Sequence, residues 1–134
     1  MANKKNNSSN KPEKVFIDLL YMTSSEVSAK DIALLLQDTK EISVQLWEEM
    51  NVLELELANQ NSVDFELLEA TFKDPSDAAF IKNRNIKTIF SINLCKDDLD
   101  TVISYFEKII STYSGFLCAD SEDFTPVYAG TSKK

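Results

Sequence analysis

The sequence predicts an α+β sandwich, a single domain in which a mainly antiparallel sheet carries two main helices on one face. Three observations predict it. Segments alternating with period two are interleaved with segments of helical period, in the order strand, helix, strands, short helix, strand, helix, strand. Two of the alternating segments are separated by a short Asn-rich run, the mark of an antiparallel hairpin. The length of 134 residues suits one core, because domains cluster at about 100–150 residues. The ferredoxin-like split arrangement is the nearest common solution to this order, with the hairpin of residues 52–69 as an elaboration.

Residues 1–13 are polar, rich in Asn, Ser and Lys, and show no periodicity. Such a segment buries too little apolar surface to offset its ordering entropy, so a disordered tail is expected there. The domain is expected over residues 14–130, followed by a frayed tail at 131–134. Residues 15–22 (VFIDLLYM) are apolar on both faces, as a central strand covered on both sides would be. Asp18 is the exception, either a site carboxylate or an acid satisfied at a strand edge. Ser28-Ala29-Lys30-Asp31 places an acid three residues after a hydroxyl, and Ile32, Leu35, Leu36 and Thr39 follow at helical spacing. A first helix is predicted over 29–40. Ile42, Val44 and Leu46 alternate with Ser43, Gln45 and Trp47 and suggest a strand, although Ile42, Leu46 and Met50 also fit a helix.

Residues 52–58 (VLELELA) and 63–69 (VDFELLE) make the hairpin. Pairing Ala58 with Ser62 leaves a loop of Asn59, Gln60 and Asn61, in which an Asn takes the left-handed position. That register sets Leu57 opposite Val63, Leu55 opposite Phe65 and Leu53 opposite Leu67. A one-residue slip would oppose leucines to acids. Asp74-Pro75 starts a short helix that continues through residues 78–82, with Asp as cap and Pro at the first position. Ile86, Thr88, Phe90, Ile92 and Leu94 alternate as a strand. Asp97, Asp98 and Asp100 crowd the start of a long helix, where the macrodipole favours anions. Its apolar stripe runs from Leu99 through Val102, Phe106 and Ile109 to Tyr113, and Gly115 is its stop. Residues 116–119 make a short strand, followed by an acidic loop and a last strand at Val127 and Tyr128.

Composition removes whole function classes. The chain has no histidine, which excludes histidine triads, histidine-ligated zinc and imidazole proton shuttles. Gly115 and Gly130 are the only glycines, so there is no phosphate-cradling loop, dinucleotide fingerprint or nucleophile elbow. No cofactor is expected. Residues 14–132 carry 9 bases against 21 acids, a field that repels phosphate backbones and anionic lipid and steers toward cationic partners. Cys95 and Cys118 form no metal-ligand cluster and read as buried free thiols. Residues 1–14 lack the apolar core of a signal peptide, and no apolar run approaches a membrane span, so a cytoplasmic protein is expected.

The hairpin carries the sharpest functional signal. With its leucines, Val63 and Phe65 toward the core, Glu54, Glu56, Asp64 and Glu66 must share the other face, and the predicted register opposes Glu56 to Asp64 and Glu54 to Glu66. Like charges directly opposite destabilise by a few tenths to about 1 kcal/mol a pair. A cationic protein partner, a bound Ca²⁺ or Mg²⁺, or a solvated face that discourages edge aggregation would each account for them. Asp120, Glu122 and Asp123 form a second acidic cluster, beside Pro126 and the candidate aromatic anchors Phe124 and Tyr128, and Trp47 next to Glu48 and Glu49 is another candidate anchor. Each of these aromatics also suits an ordinary packing role. The D-x-D spacing in Asp97, Asp98 and Asp100 occurs in some metal-dependent phosphoryl-transfer sites, but a helix start accounts for all three acids.

The leading expectation is a non-enzymatic binding protein that masks a basic partner with an acidic face. In its most concrete form this is an immunity or antitoxin-type inhibitor of a bacterial nuclease toxin, or an inhibitor that mimics nucleic acid. Glu54, Glu56, Asp64, Glu66, Asp120, Glu122 and Asp123 would steer, while Trp47, Phe124 and Tyr128 would anchor. The alternatives are a divalent-metal enzyme or sensor using Asp18 with Asp97, Asp98 or Asp120, and a small-ligand regulatory or oligomerising module.

Overall fold

In the computed structural model, described over residues 14–130, ten regular elements follow the predicted order. They are β1 (Phe16–Thr23), α1 (Ala29–Leu36), β2 (Ser43–Trp47), β3 (Val52–Glu56), β4 (Ser62–Leu68), α2 (Pro75–Asn83), β5 (Thr88–Cys95), α3 (Leu99–Tyr113), β6 (Phe116–Ala119) and β7 (Val127–Gly130). The expectations for residues 1–13 and 131–134 lie outside the described residues. All seven strands join one open antiparallel sheet in the order β2-β3-β4-β5-β1-β6-β7. Its inner part, β6-β1-β5-β4, has the order of the ferredoxin-like split arrangement. The elaboration differs from the prediction. Because β4 pairs with β5, it belongs to that inner part, and the addition is β2 with β3 on one side and β7 on the other.

Period-two alternation divides the sheet into two faces. Leu19, Tyr21, Leu53, Leu55, Val63, Phe65, Phe90 and Ile92 point to one side, where Ile32 and Leu36 of α1 and Val102, Phe106 and Ile109 of α3 close the main core. Phe65 stacks on Phe106 at 5.5 Å and meets Phe90 edge-on at 6.3 Å. On the other side Leu20, Met22, Ile89, Phe116 and Cys118 pack against Ile81 of α2 and against Phe124. This second cluster explains why β1 reads as apolar on both faces. Its cover reaches β5, β1, β6 and, through Val127, β7, whereas on the same face Gln45, Asp64 and Glu66 on β2 and β4, and Asp18 near the start of β1, are exposed.

Local chemistry sets the element ends. Ser28 and Asp31 form the capping box of α1, and Asp74 caps α2 by accepting from the Ser76 and Asp77 amides. Helix α1 stops at Leu36 rather than Lys40, because residues 37–40 (QDTK) add no large apolar side chain to its buried stripe. Strand β5 begins at Thr88, not Ile86: Asn85 takes a left-handed backbone (φ 55°), and Ile86 turns into the second cluster. At the end of α3, carbonyls without helical partners accept from β1 and its loop. The Tyr21 hydroxyl donates to Ser114 O at 2.6 Å, and the Thr23 and Ser25 hydroxyls donate to Tyr113 O at 2.7 and 2.8 Å. Burial pushes the Tyr21 phenol up to about 12.

Candidate functional site

The β3–β4 hairpin sets the geometry of the site. It pairs Leu53 with Phe65 and Leu55 with Val63, so the predicted register is corrected by two residues. The Leu57 amide donates to the Asn61 carbonyl at 2.8 Å, the Gln60 amide closes the turn on Leu57 O at 2.9 Å, and Gln60 rather than an Asn is left-handed (φ 73°). A shift of two keeps every side chain on its predicted face. Two physical gains favour it. Glu54 now faces Asp64, while Glu56 faces Ser62 and Glu66 faces Val52, so one opposed acid pair replaces the predicted two. The asparagines also become free to act as donors: Asn59 Nδ2 gives to Asp98 Oδ1 and Asn61 Nδ2 to Asp98 Oδ2, each at 2.9 Å.

Asp98 stands at the helix start, as expected, but its carboxylate is engaged by the hairpin loop. It is only 5% exposed, and its side chain makes no cap bond to α3. It ties the hairpin loop to the start of that helix. Asp97 and Asp100 are exposed at the helix start, where the macrodipole account still applies.

On the open face the strand registers line up one row. Gln45 pairs with Glu54, Glu54 with Asp64, Asp64 with Asn93, and Asn93 with Asp18. Asp120 extends the row, its amide donating to Asp18 O at 3.1 Å. Adjacent strands are about 4.8 Å apart, so the row crosses the sheet in steps of that size. Asn93 Nδ2 donates to Asp18 Oδ1 at 2.9 Å and separates Asp18 from Asp64. Partial burial, then the charges of Asp18 and Asp77, raise the Asp120 carboxyl above its ordinary range. Glu66 lies one row along, between Val52 and Ser91, and Glu56 one row the other way. None of the seven strands contains a Lys or Arg.

The aromatic candidates separate. Trp47 is 42% exposed on edge strand β2, opposite Val52. Tyr128, also exposed, is on β7 at the other edge, six strand steps or roughly 29 Å away. Phe124 is buried against Phe72 and Phe80, with ring centroids 5.9 and 4.7 Å away, so it fastens its loop to the body and presents no anchor. In the same loop the Thr125 hydroxyl donates to Asp123 Oδ1 at 2.6 Å and holds the Asp123 carboxyl below its ordinary range. Glu122 is exposed.

Sequence reasoning passed over two residues near Trp47. Met50 is 63% exposed in the β2–β3 turn, and Leu68 is exposed at the end of β4, next to Leu67, whose amide donates to Asn51 O at 3.1 Å. Leu68 had a signal, since it stands out of phase where the alternation calls for a polar residue. Met50 had none. Among the described residues no group of three or more Cys, Asp or Glu is placed to hold a metal ion, and no helix is long and apolar enough to cross a membrane. No family model, curated protein or solved structure matches the chain.

Proposed function

We propose that this chain is a non-enzymatic acidic binding protein whose open sheet face masks a basic partner. The most concrete form is an immunity or antitoxin-type inhibitor that covers the cationic site of a nuclease toxin, much as nucleic acid would. The observation that carries the reading is the cross-strand row of Glu54, Asp64, Asp18 and Asp120, flanked by Glu56 and Glu66 in strands without a base. Opposed acids cost stability in the free chain, and a Lys- or Arg-rich partner converts that cost into complementarity and faster encounter. Trp47, Met50 and Leu68 supply apolar contact at one end of the face. Two buried free thiols accord with a reducing, cytoplasmic setting.

The test is native co-purification of the tagged chain from its own cells at low and high salt, beside a Glu54→Lys/Glu66→Lys variant. A stoichiometric basic protein, lost with salt and with the variant and inhibited when the chain is added back, is the expected result. Recovery of the chain alone in every condition, with the variant as stable as the parent, would return the acidic face to a solvated surface.

A further inference from the structure

The acidic row does not account for a second concavity. At one end of the sheet, between the loop that enters α1, the end of β4 and the start of β5, lies an open cleft of about 730 Å³. That volume falls within the range of small-molecule sites, about 300–1,000 Å³. Val27, Leu67 and Ala70 contribute apolar lining. Glu26, Asp31 and Glu69 set three carboxylates around it against the single ammonium of Lys87.

The hydrogen bonds of the cleft decide the sign of its ligand. An anion at the start of α1 would need free amides, and four of those around it are occupied. The Ser28 amide gives to Asp31 Oδ2 at 2.9 Å, the Ala29 amide to Asn51 Oδ1 at 3.2 Å, and the Asp31 amide to Ser28 Oγ at 3.1 Å. The Val27 amide gives to Thr88 Oγ1 at 3.0 Å. What the walls offer is acceptors and negative charge. Asn51, left-handed at φ 52°, also ties the walls together by accepting the Leu67 amide on its carbonyl. A cleft braced in this way pays little to organise on binding.

We propose that this cleft binds an organic cation, an alkyl chain ending in a guanidinium or ammonium group. The apolar lining takes the stem and the carboxylates take the head. This chemistry is met by a free diamine or guanidine metabolite and by an arginine side chain of a protein. The inference does not depend on the masking role of the sheet face, although Leu68 borders both.

The test is an amide-resolved NMR titration of the full chain with agmatine, with N-acetyl-arginine methylamide, and with neutral butylurea. The expected result is saturable shifts at Val27, Asn51, Ala70 and Thr88. Binding should weaken roughly two- to fivefold for Glu26→Gln and for Glu69→Gln and tighten for Lys87→Gln, as partly exposed charge pairs do. Glu54→Lys/Glu66→Lys should leave it unchanged, which keeps this result separate from the partner assay. Binding of agmatine alone supports a free metabolite, and binding of the capped arginine supports a protein side chain. Absence of saturable shifts, shifts centred on Glu54 and Asp64, or equal binding of butylurea would overturn the proposal.

Discussion

Replacing Asp98 with alanine tests how the hairpin is held in register. Its carboxylate accepts from Asn59 Nδ2 and Asn61 Nδ2, both at 2.9 Å, in a setting only 5% exposed. Hydrogen bonds to a charged group contribute about 1.5–3 kcal/mol each. The sum is reduced because Asn59 is exposed and Asn61 half-buried, so their released amides regain water. Lys14 Nζ, which donates to Asn61 Oδ1 at 2.7 Å on the surface, adds little. The expected loss is about 2–4 kcal/mol, or roughly 6–16 °C in Tm for a domain of this size. Urea unfolding followed by circular dichroism reads it, with an unchanged m-value showing that the native state stays compact. Asp98→Asn keeps one acceptor and should cost about half as much. Pairing Asp98→Ala with Asn61→Ala should give a coupling of about 1–2 kcal/mol. A macrodipole acid behaves differently, contributing about 0.3–1 kcal/mol that salt screens. A loss below about 1 kcal/mol that disappears in roughly 0.5 M salt would therefore refute the clamp.

Three further outcomes follow from the packing. Gly115→Ala should cost at least about 3 kcal/mol by denaturant unfolding, since the backbone is at φ 99° and a Cβ would lie 2.2 Å from Met22 O and 2.7 Å from Thr23 Cβ. The Cys118 thiol, pushed up to about 12 by burial and then by the Asp120 charge, should resist a thiol reagent in the native chain at roughly pH 8 and react only on unfolding; fast labelling mapped to it by mass spectrometry would contradict the buried placement. Asp120 has its folded-state pKa raised, so ionising it costs stability at pH values above that pKa, and the cost is relieved as pH falls through it. Asp120→Asn should accordingly raise Tm at neutral pH, with the gain vanishing at roughly pH 3 where the parent is protonated.

The faces of the sheet were legible because their signal is strictly periodic. Leucines at 53, 55 and 57 and acids at 54 and 56 have only one way to divide between core and water. Register was not legible to better than two residues, since a shift of two preserves that division; what separates the choices is Asp98, some 40 positions away in sequence. Phe124 was ambiguous for a similar reason. Its burial depends on Phe72 and Phe80, which come from a loop and a helix that no local pattern pairs with it. The cleft was invisible in the sequence, because Glu26, Glu69 and Lys87 meet only after β4, β5 and the loop before α1 are brought to one end of the sheet.

The observed strand pairings bear on the acidic face in two opposing ways. Fewer opposed pairs means a smaller self-repulsion inside the hairpin, so the hairpin by itself asks less of a partner than the sequence suggested. Yet the β4–β5 and β1–β5 pairings, which the hairpin register does not set, align Asp64 with Asn93 and, through it, with Asp18 and Asp120, so the row runs from Glu54 on β3 over β4, β5 and β1 to the end of β6. A solvated hairpin would need no such continuation past its own edge, whereas a partner lying across the strands would meet Glu54 and Asp64 on one side of Asn93 and Asp18 and Asp120 on the other. Charge reversal at Asp18, which lies in the sheet's interior and outside the hairpin, separates the two. A partner read by the whole row should lose affinity and salt dependence on Asp18→Lys, while one that touches only the hairpin should not respond.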